Sequence, residues 1–118
     1  MKPITYNLDQ STVLQFTEDL DAGSIKPVKD LFEHYASTDK DILIDLKDVH
    51  FIDSSGVGAI VFLYKRLIAN GRQIFVIGLH GQPQQLFDML QLSKNLKCFD
   101  TIPDYLKTIR IEPKIALS

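Results

Sequence analysis

"FIDSSG" (Phe51–Gly56) lies between two apolar stretches, and "VGAIVFLY" (Val57–Tyr64) follows it without a break. On its N-terminal side, "ILIDL" (Ile42–Leu46) reads as a core strand, and "VHFI" (Val49–Ile52) continues or neighbours that strand. On its C-terminal side, apolar residues run from Val57 to Ala69 and stop at "NG" (Asn70–Gly71), a helix-ending signal. Asp53, Ser54 and Ser55 therefore fall where a strand gives way to a helix. Asp and Ser are favoured at such a place because their side-chain oxygens accept the free N–H groups of the first helical turn.

The same pattern extends in both directions. "ITYNL" (Ile4–Leu8) alternates as a half-buried strand does, "DQS" supplies a turn, and "TVLQF" (Thr12–Phe16) completes a hairpin. Val28, Leu31, Phe32 and Tyr35 recur at helical spacing, which predicts an amphipathic helix from Ile25 to about Ala36. Ser24 is its expected N-cap, and Pro27 is tolerated in the first turn. "QIFVIG" (Gln73–Gly78) is a continuous apolar run, the mark of a strand covered on both faces. A third helix carries Leu86, Phe87, Met89, Leu90 and Leu92, with Pro83 near its start. "LKCF" (Leu96–Phe99) is a short strand, and "DTIPDYLKTI" (Asp100–Ile109) a last short helix capped by Asp100 or Thr101. The tail "RIEPKIALS" shows no pattern. The order is β-β-α-β-α-β-α-β-α. It predicts an α/β fold with a mixed, largely parallel sheet of four to five strands and about four covering helices.

The bulk numbers fit that reading. The chain has 118 residues, 45% apolar and 24% charged, with a formal net charge of −2. That is expected to be one domain over residues 1–118, burying roughly two-thirds of its unfolded surface. A lone cysteine, Cys98, excludes an intrachain disulfide and suits a reducing cytoplasm. No basic cluster suggests nucleic acid, and no apolar run approaches the ~20 residues that span a bilayer. The N-terminus lacks the apolar core of a signal peptide.

Catalytic readings find little support. "GVGAIV" begins like a dinucleotide fingerprint at Gly56 and Gly58, but Val61 stands at the third small position. An esterase elbow needs Gly-x-Ser-x-Gly, and Ile52 or Asp53 occupies the leading position. His34, His50 and His80 show no spacing that marks a base for Ser54 or Ser55. Asp39, Asp41, Asp45 and Asp48 show no metal-ligand spacing. No cofactor, metal or catalytic residue is expected.

Two features exceed what a helix cap requires. Two serines and two glycines crowd one helix start, although one residue suffices to cap it and each interior glycine costs up to ~1 kcal/mol. Small residues there leave hydroxyls and backbone N–H groups approachable, and a helix N-terminus attracts anions. Second, Ala59 to Tyr64 are all apolar, so at ~100° per residue they point in every direction. Either the helix is enclosed, or its outer face meets a partner.

The segment "ILIDLKDVHFIDSSGVGAIVFLYKRLIANGRQIFVIGLHGQPQQLFDMLQL" (Ile42–Leu92) resembles the STAS domain family, and within it the bacterial anti-sigma factor antagonists. Its most specific part is the strand–Asp-Ser-Ser-Gly–helix junction, followed by a Gly-bounded strand and "LFDMLQL". The resemblance implies that Ser54, directly after the aspartate, is phosphorylated, with Ser55 the alternate. It implies as partners a serine kinase of the histidine-kinase-like ATPase type that is also the anti-sigma factor, and a serine/threonine phosphatase of the metal-dependent class. "DLDAG" (Asp19–Gly23) resembles the family's loop before the first helix, which places Asp21 on the partner surface beside Asp53. The expected partner-binding set is Asp21, Asp53, Ser54, Ser55, Gly56, Val57, Gly58, Ile60 and Val61. Other members of the family control biofilm formation or serve as accessory subunits of lipid transport, and these readings remain open beside the first.

Overall fold

The computed structural model describes residues 2–117, with side chains described for residues 2–109. Strands β1 (Ile4–Leu8) and β2 (Ser11–Gln15) form an antiparallel hairpin, with Leu8 opposite Ser11. The turn between them puts Asp9 at φ 54°, a left-handed conformation that aspartate tolerates better than most residues. β3 (Asp41–Asp45), β4 (Ile74–Ile77) and β5 (Lys97–Phe99) follow in parallel, so the sheet order is β1-β2-β3-β4-β5.

Because the strand order runs one way, right-handed crossovers bring the three intervening helices to one face of the sheet. These are α1 (Ile25–Tyr35), α2 (Ser54–Ala69) and α3 (Gly81–Met89). They bury Val28, Phe32, Ile60, Leu63, Leu67 and Phe87 against Leu14, Ile42, Ile44 and Val76. The alternate side chains Val13, Leu43, Phe75 and Ile77 point to the opposite face, where α4 (Ile102–Leu117) covers them with Tyr105. β4 is buried along its whole length, as its unbroken apolar run requires.

The element order matches the sequence expectation throughout. The differences are local. Val49–Ile52 forms no strand; Ile52 makes only an isolated parallel bridge with Leu20, in the loop between β2 and α1. Ser24 sits at the N-cap of α1 but makes no side-chain cap. Its hydroxyl instead donates to the Asp19 carbonyl at 2.8 Å, drawn off by the loop before it. α3 ends at Met89, with Leu90 as its C-cap, and Leu92 begins a separate 3₁₀ turn (Leu92–Lys94). α4 runs on through the unpatterned tail as far as Leu117. Its start has the expected cap: Thr101 Oγ1 accepts from the Asp104 N–H at 3.2 Å and donates to the Asp104 carboxylate at 2.9 Å. The "NG" stop also holds, with Asn70 as C-cap of α2 and Gly71 at φ 74°.

Candidate functional site

Asp53 is the residue that caps α2. Its backbone is extended, and its Oδ1 accepts from Ser55 N at 2.9 Å and Gly56 N at 3.2 Å. Its Oδ2 accepts from Ala22 N at 3.0 Å, in the loop after β2. Partial desolvation favours the neutral acid, but the N–H groups of Gly56, Ala22 and Ser55 outweigh it and hold the carboxyl below its ordinary 3.8. One carboxylate thus completes the helix start and fastens a neighbouring loop to it.

That leaves both serine hydroxyls outside the capping. Ser54 is exposed as the first residue of α2, and among the described residues its hydroxyl makes no hydrogen bond. Ser55 is half-buried one position on. Both line a groove of about 560 Å³ between α1 and α2, together with Gly58, Ala59 and Phe62 on α2 and Lys29 and Glu33 on α1. Its far end is fixed by Arg66, which pairs with Glu33 at 3.2 Å and lies 5.4 Å over the Phe62 ring. Ser54, Gly58, Phe62 and Arg66 follow one another at four-residue spacing, so they form one exposed stripe along the helix.

The junction that presents Ser54 is held by three sets of bonds. Leu20 N donates to Phe51 O and Asp53 N to Leu20 O, each at 3.1 Å. Asp19 Oδ1 accepts from His50 N and Phe51 N. Gln82, on the first turn of α3, donates its Nε2 to Ile52 O and accepts Ile52 N at its Oε1, each at 2.9 Å. These side chains take the backbone groups that a strand partner would have taken. That is why Val49–Ile52 is extended but outside the sheet.

Not all of the sequence-derived partner set reaches the surface. Val57 and Ile60 point into the core at 8% and 1% exposure, and Val61 is half-buried against it. The reason is geometric: α2 packs on the sheet while α1 lies alongside it, so the side that meets the sheet takes Val57, Ile60 and Leu63. Gly56 is buried too. A Cβ there would come within 2.6 Å of both the Leu20 carbonyl and Ile52 Cγ1, so this glycine permits close packing. Gly58 is the reverse case: it is exposed, and a Cβ at that position would meet nothing within 4 Å. Asp21 lies in the loop that Asp53 holds through Ala22, and its Oδ1 accepts from Gly23 N at 3.0 Å and Ser24 N at 3.1 Å. Sequence reasoning missed Lys29, Phe62 and Gln82. Phe62 was legible only as one apolar residue in a run of six. Lys29 and Gln82 matter through contacts between elements, which no local pattern shows.

Among the described residues no histidine lines the groove beside Ser54. His50 and His80 instead face one another with ring centroids 5.8 Å apart, and His80 Nε2 bonds to Lys47 O at 2.8 Å. Among the described residues no helix is long and apolar enough to cross a membrane.

Comparison with known proteins agrees with this architecture. The family model of the STAS domain matches residues 2–105. A candidate anti-sigma factor antagonist of Thermotoga maritima superposes with a TM-score of 0.84 at 22% identity, over 92% of this chain and 94% of that one. An anti-sigma factor antagonist of Mycobacterium paratuberculosis gives 0.82 at 17% identity, over 92% and 93%. The Bacillus cell fate determinant SpoIIAA in its phosphorylated form gives 0.70 at 14% identity, over 91% and 98%. At these identities the likeness is one of fold.

Proposed function

This chain belongs to the STAS domain family, and from that premise we propose that it is a protein-binding module without catalysis of its own, switched off by phosphorylation of Ser54. One observation carries the reading. Asp53 alone completes the start of α2, so the exposed Ser54 hydroxyl is free of structural duty at the lip of a groove floored by Gly58, Ala59 and Phe62. Such a hydroxyl can be reached by a kinase and modified without disturbing the helix.

The proposed docking face comprises Ser54, Ser55, Gly58 and Phe62, with Asp53 and the Asp21 loop beside them. The backbones of Gly56, Val57, Ile60 and Val61 support it from below. In the unmodified state this face binds a regulator, taken from the resemblance to be a serine kinase of the histidine-kinase-like ATPase type. That kinase moves the γ-phosphoryl group of ATP to Ser54 Oγ, leaving ADP and releasing the hydroxyl proton. A metal-dependent serine/threonine phosphatase then returns serine and inorganic phosphate with the uptake of water.

Phosphate adds about −1.5 to −2 charge at neutral pH. Here that charge arises next to Asp53, on a partly apolar face that a partner must desolvate. A loss of even ~3 kcal/mol weakens binding more than a hundredfold. No refolding is needed, because the modified atom takes no part in the fold.

The test is recovery of partners from the native cell on Ser54→Ala and Ser54→Asp proteins. The expected result is strong retention by Ser54→Ala and weak retention by Ser54→Asp. Equal recovery by both would leave a STAS subunit that binds independently of phosphate and would remove the switch.

A further inference from the structure

We propose that Lys29 on α1 receives the phosphate carried by Ser54 and turns it into the groove between α1 and α2; this rests on the reading of Ser54 as the modified residue. A phosphate at a helix N-terminus ordinarily takes the free N–H groups of the first turn. In this helix most of them are spent: Ser55 N and Gly56 N donate to Asp53 Oδ1, and Val57 N donates to Asp53 O, which leaves Ser54 N alone in the first turn without an acceptor among the described residues. The second Asp53 oxygen is held by Ala22 N. The phosphate therefore meets an ionised carboxylate on the side of the loop that also bears Asp21, and is repelled from it.

The opposite wall supplies the cation. Among the described residues, two charged side chains line the groove with Ser54, namely Lys29 and Glu33. Glu33 is already paired with Arg66 at 3.2 Å. Lys29 is exposed, and among the described residues it pairs with no carboxylate. A lysine has a flexible four-carbon stem and three donors, which lets the ammonium follow a group that arrives after folding. Attraction from Lys29 and repulsion from Asp53 act in the same direction. They place the phosphate over Gly58, Ala59 and Phe62, so that it occupies the groove instead of projecting into water.

The test uses full-length protein with phosphoserine installed at position 54 during translation, titrated by phosphorus NMR. An unperturbed phosphoserine gives up its second proton near pH 6. The expected result is that the wild-type and Lys29→Arg proteins titrate about 0.5 pH unit below Lys29→Ala, the size that an exposed ion pair supports. The gap should shrink in high salt. Superimposed curves for wild type and Lys29→Ala would overturn the proposal, as would a Lys29→Arg curve that follows Lys29→Ala. Because no kinase is used, these curves report on Lys29 alone. A failure of the cell to modify Ser54 would sink the earlier reading and leave them unchanged.

Discussion

Asp53 and Ser54 are neighbours with divided labour. The sequence places an acid and two hydroxyls at a strand–helix boundary but does not say which of them caps, since all three side chains are suited to it. The choice is made by the loop after β2: Ala22 N supplies a third donor that a carboxylate with two oxygens can serve and a hydroxyl cannot serve as well. The carboxyl is held below its ordinary 3.8 by those N–H groups, against partial desolvation. Its folded value is thus lower than its unfolded one. The ionised cap therefore stabilises fully above pH 3.8, and the benefit disappears as the pH falls through the lowered value. Asp53→Asn should melt below wild type at neutral pH, and the two should converge in acid. A constant difference across the titration, followed by circular dichroism, would show that the carboxylate charge is not what holds the junction.

At the scale of the element, α2 shows why an all-round apolar helix is hard to orient from its sequence. Val57, Ile60 and Val61 read as candidates for an outer face because apolar residues fill every direction. Packing decides otherwise: the sheet takes Val57, Ile60 and Leu63, and the stripe Ser54–Gly58–Phe62–Arg66 is left outside. The two glycines of the helix, alike in sequence, have opposite duties. Gly56→Ala drives a methyl into the Leu20 carbonyl and Ile52, and should cost about 1–3 kcal/mol. Gly58→Ala meets open space and should gain up to ~1 kcal/mol from helix propensity. Urea denaturation of the two variants checks both signs. Equal effects would mean that close approach at Gly56 does not constrain the junction.

Across the whole molecule, the strand–helix alternation was legible and the second layer was not. Periodicity locates the strands because their apolar runs are local properties. It ends α4 near Ile109, since the tail has no apolar period, whereas the helix runs on to Leu117; the described residues that hold it to the far side of the sheet, Ile102, Tyr105, Leu106 and Ile109, all lie before that extension. Tyr105 is the clearest anchor. It is 1% exposed, packs 5.1 Å from the Phe75 ring and shares a 2.6 Å hydrogen bond with the buried Ser11 hydroxyl of β2. Burial, with smaller contributions from Asp41 and Asp9, raises the phenol above 10.0 despite the Ser11 bond, which acts the other way. The buried phenol thus stays neutral through neutral pH, and the stability its burial contributes is lost only as the pH climbs past 10.0 and through the raised value. Tyr105→Phe strands the Ser11 hydroxyl and should cost about 1–2 kcal/mol in urea. Adding Ser11→Ala should restore most of that loss. A double variant as weak as the sum of the two singles would show that the hydroxyl pair is not coupled.

The two faces of the sheet have separate duties on this view. α4 closes the far side, while α1 and α2 hold the groove around Ser54 and the loop at Asp21. A switch confined to that groove should leave the fold intact and alter only what binds. The most direct test is an affinity titration of the partner recovered on Ser54→Ala protein, against unmodified protein and protein carrying phosphoserine at position 54. The expected result is binding weakened more than a hundredfold by the phosphate, with unchanged circular dichroism. Equal affinity for the two forms would contradict a phosphorylation switch at Ser54.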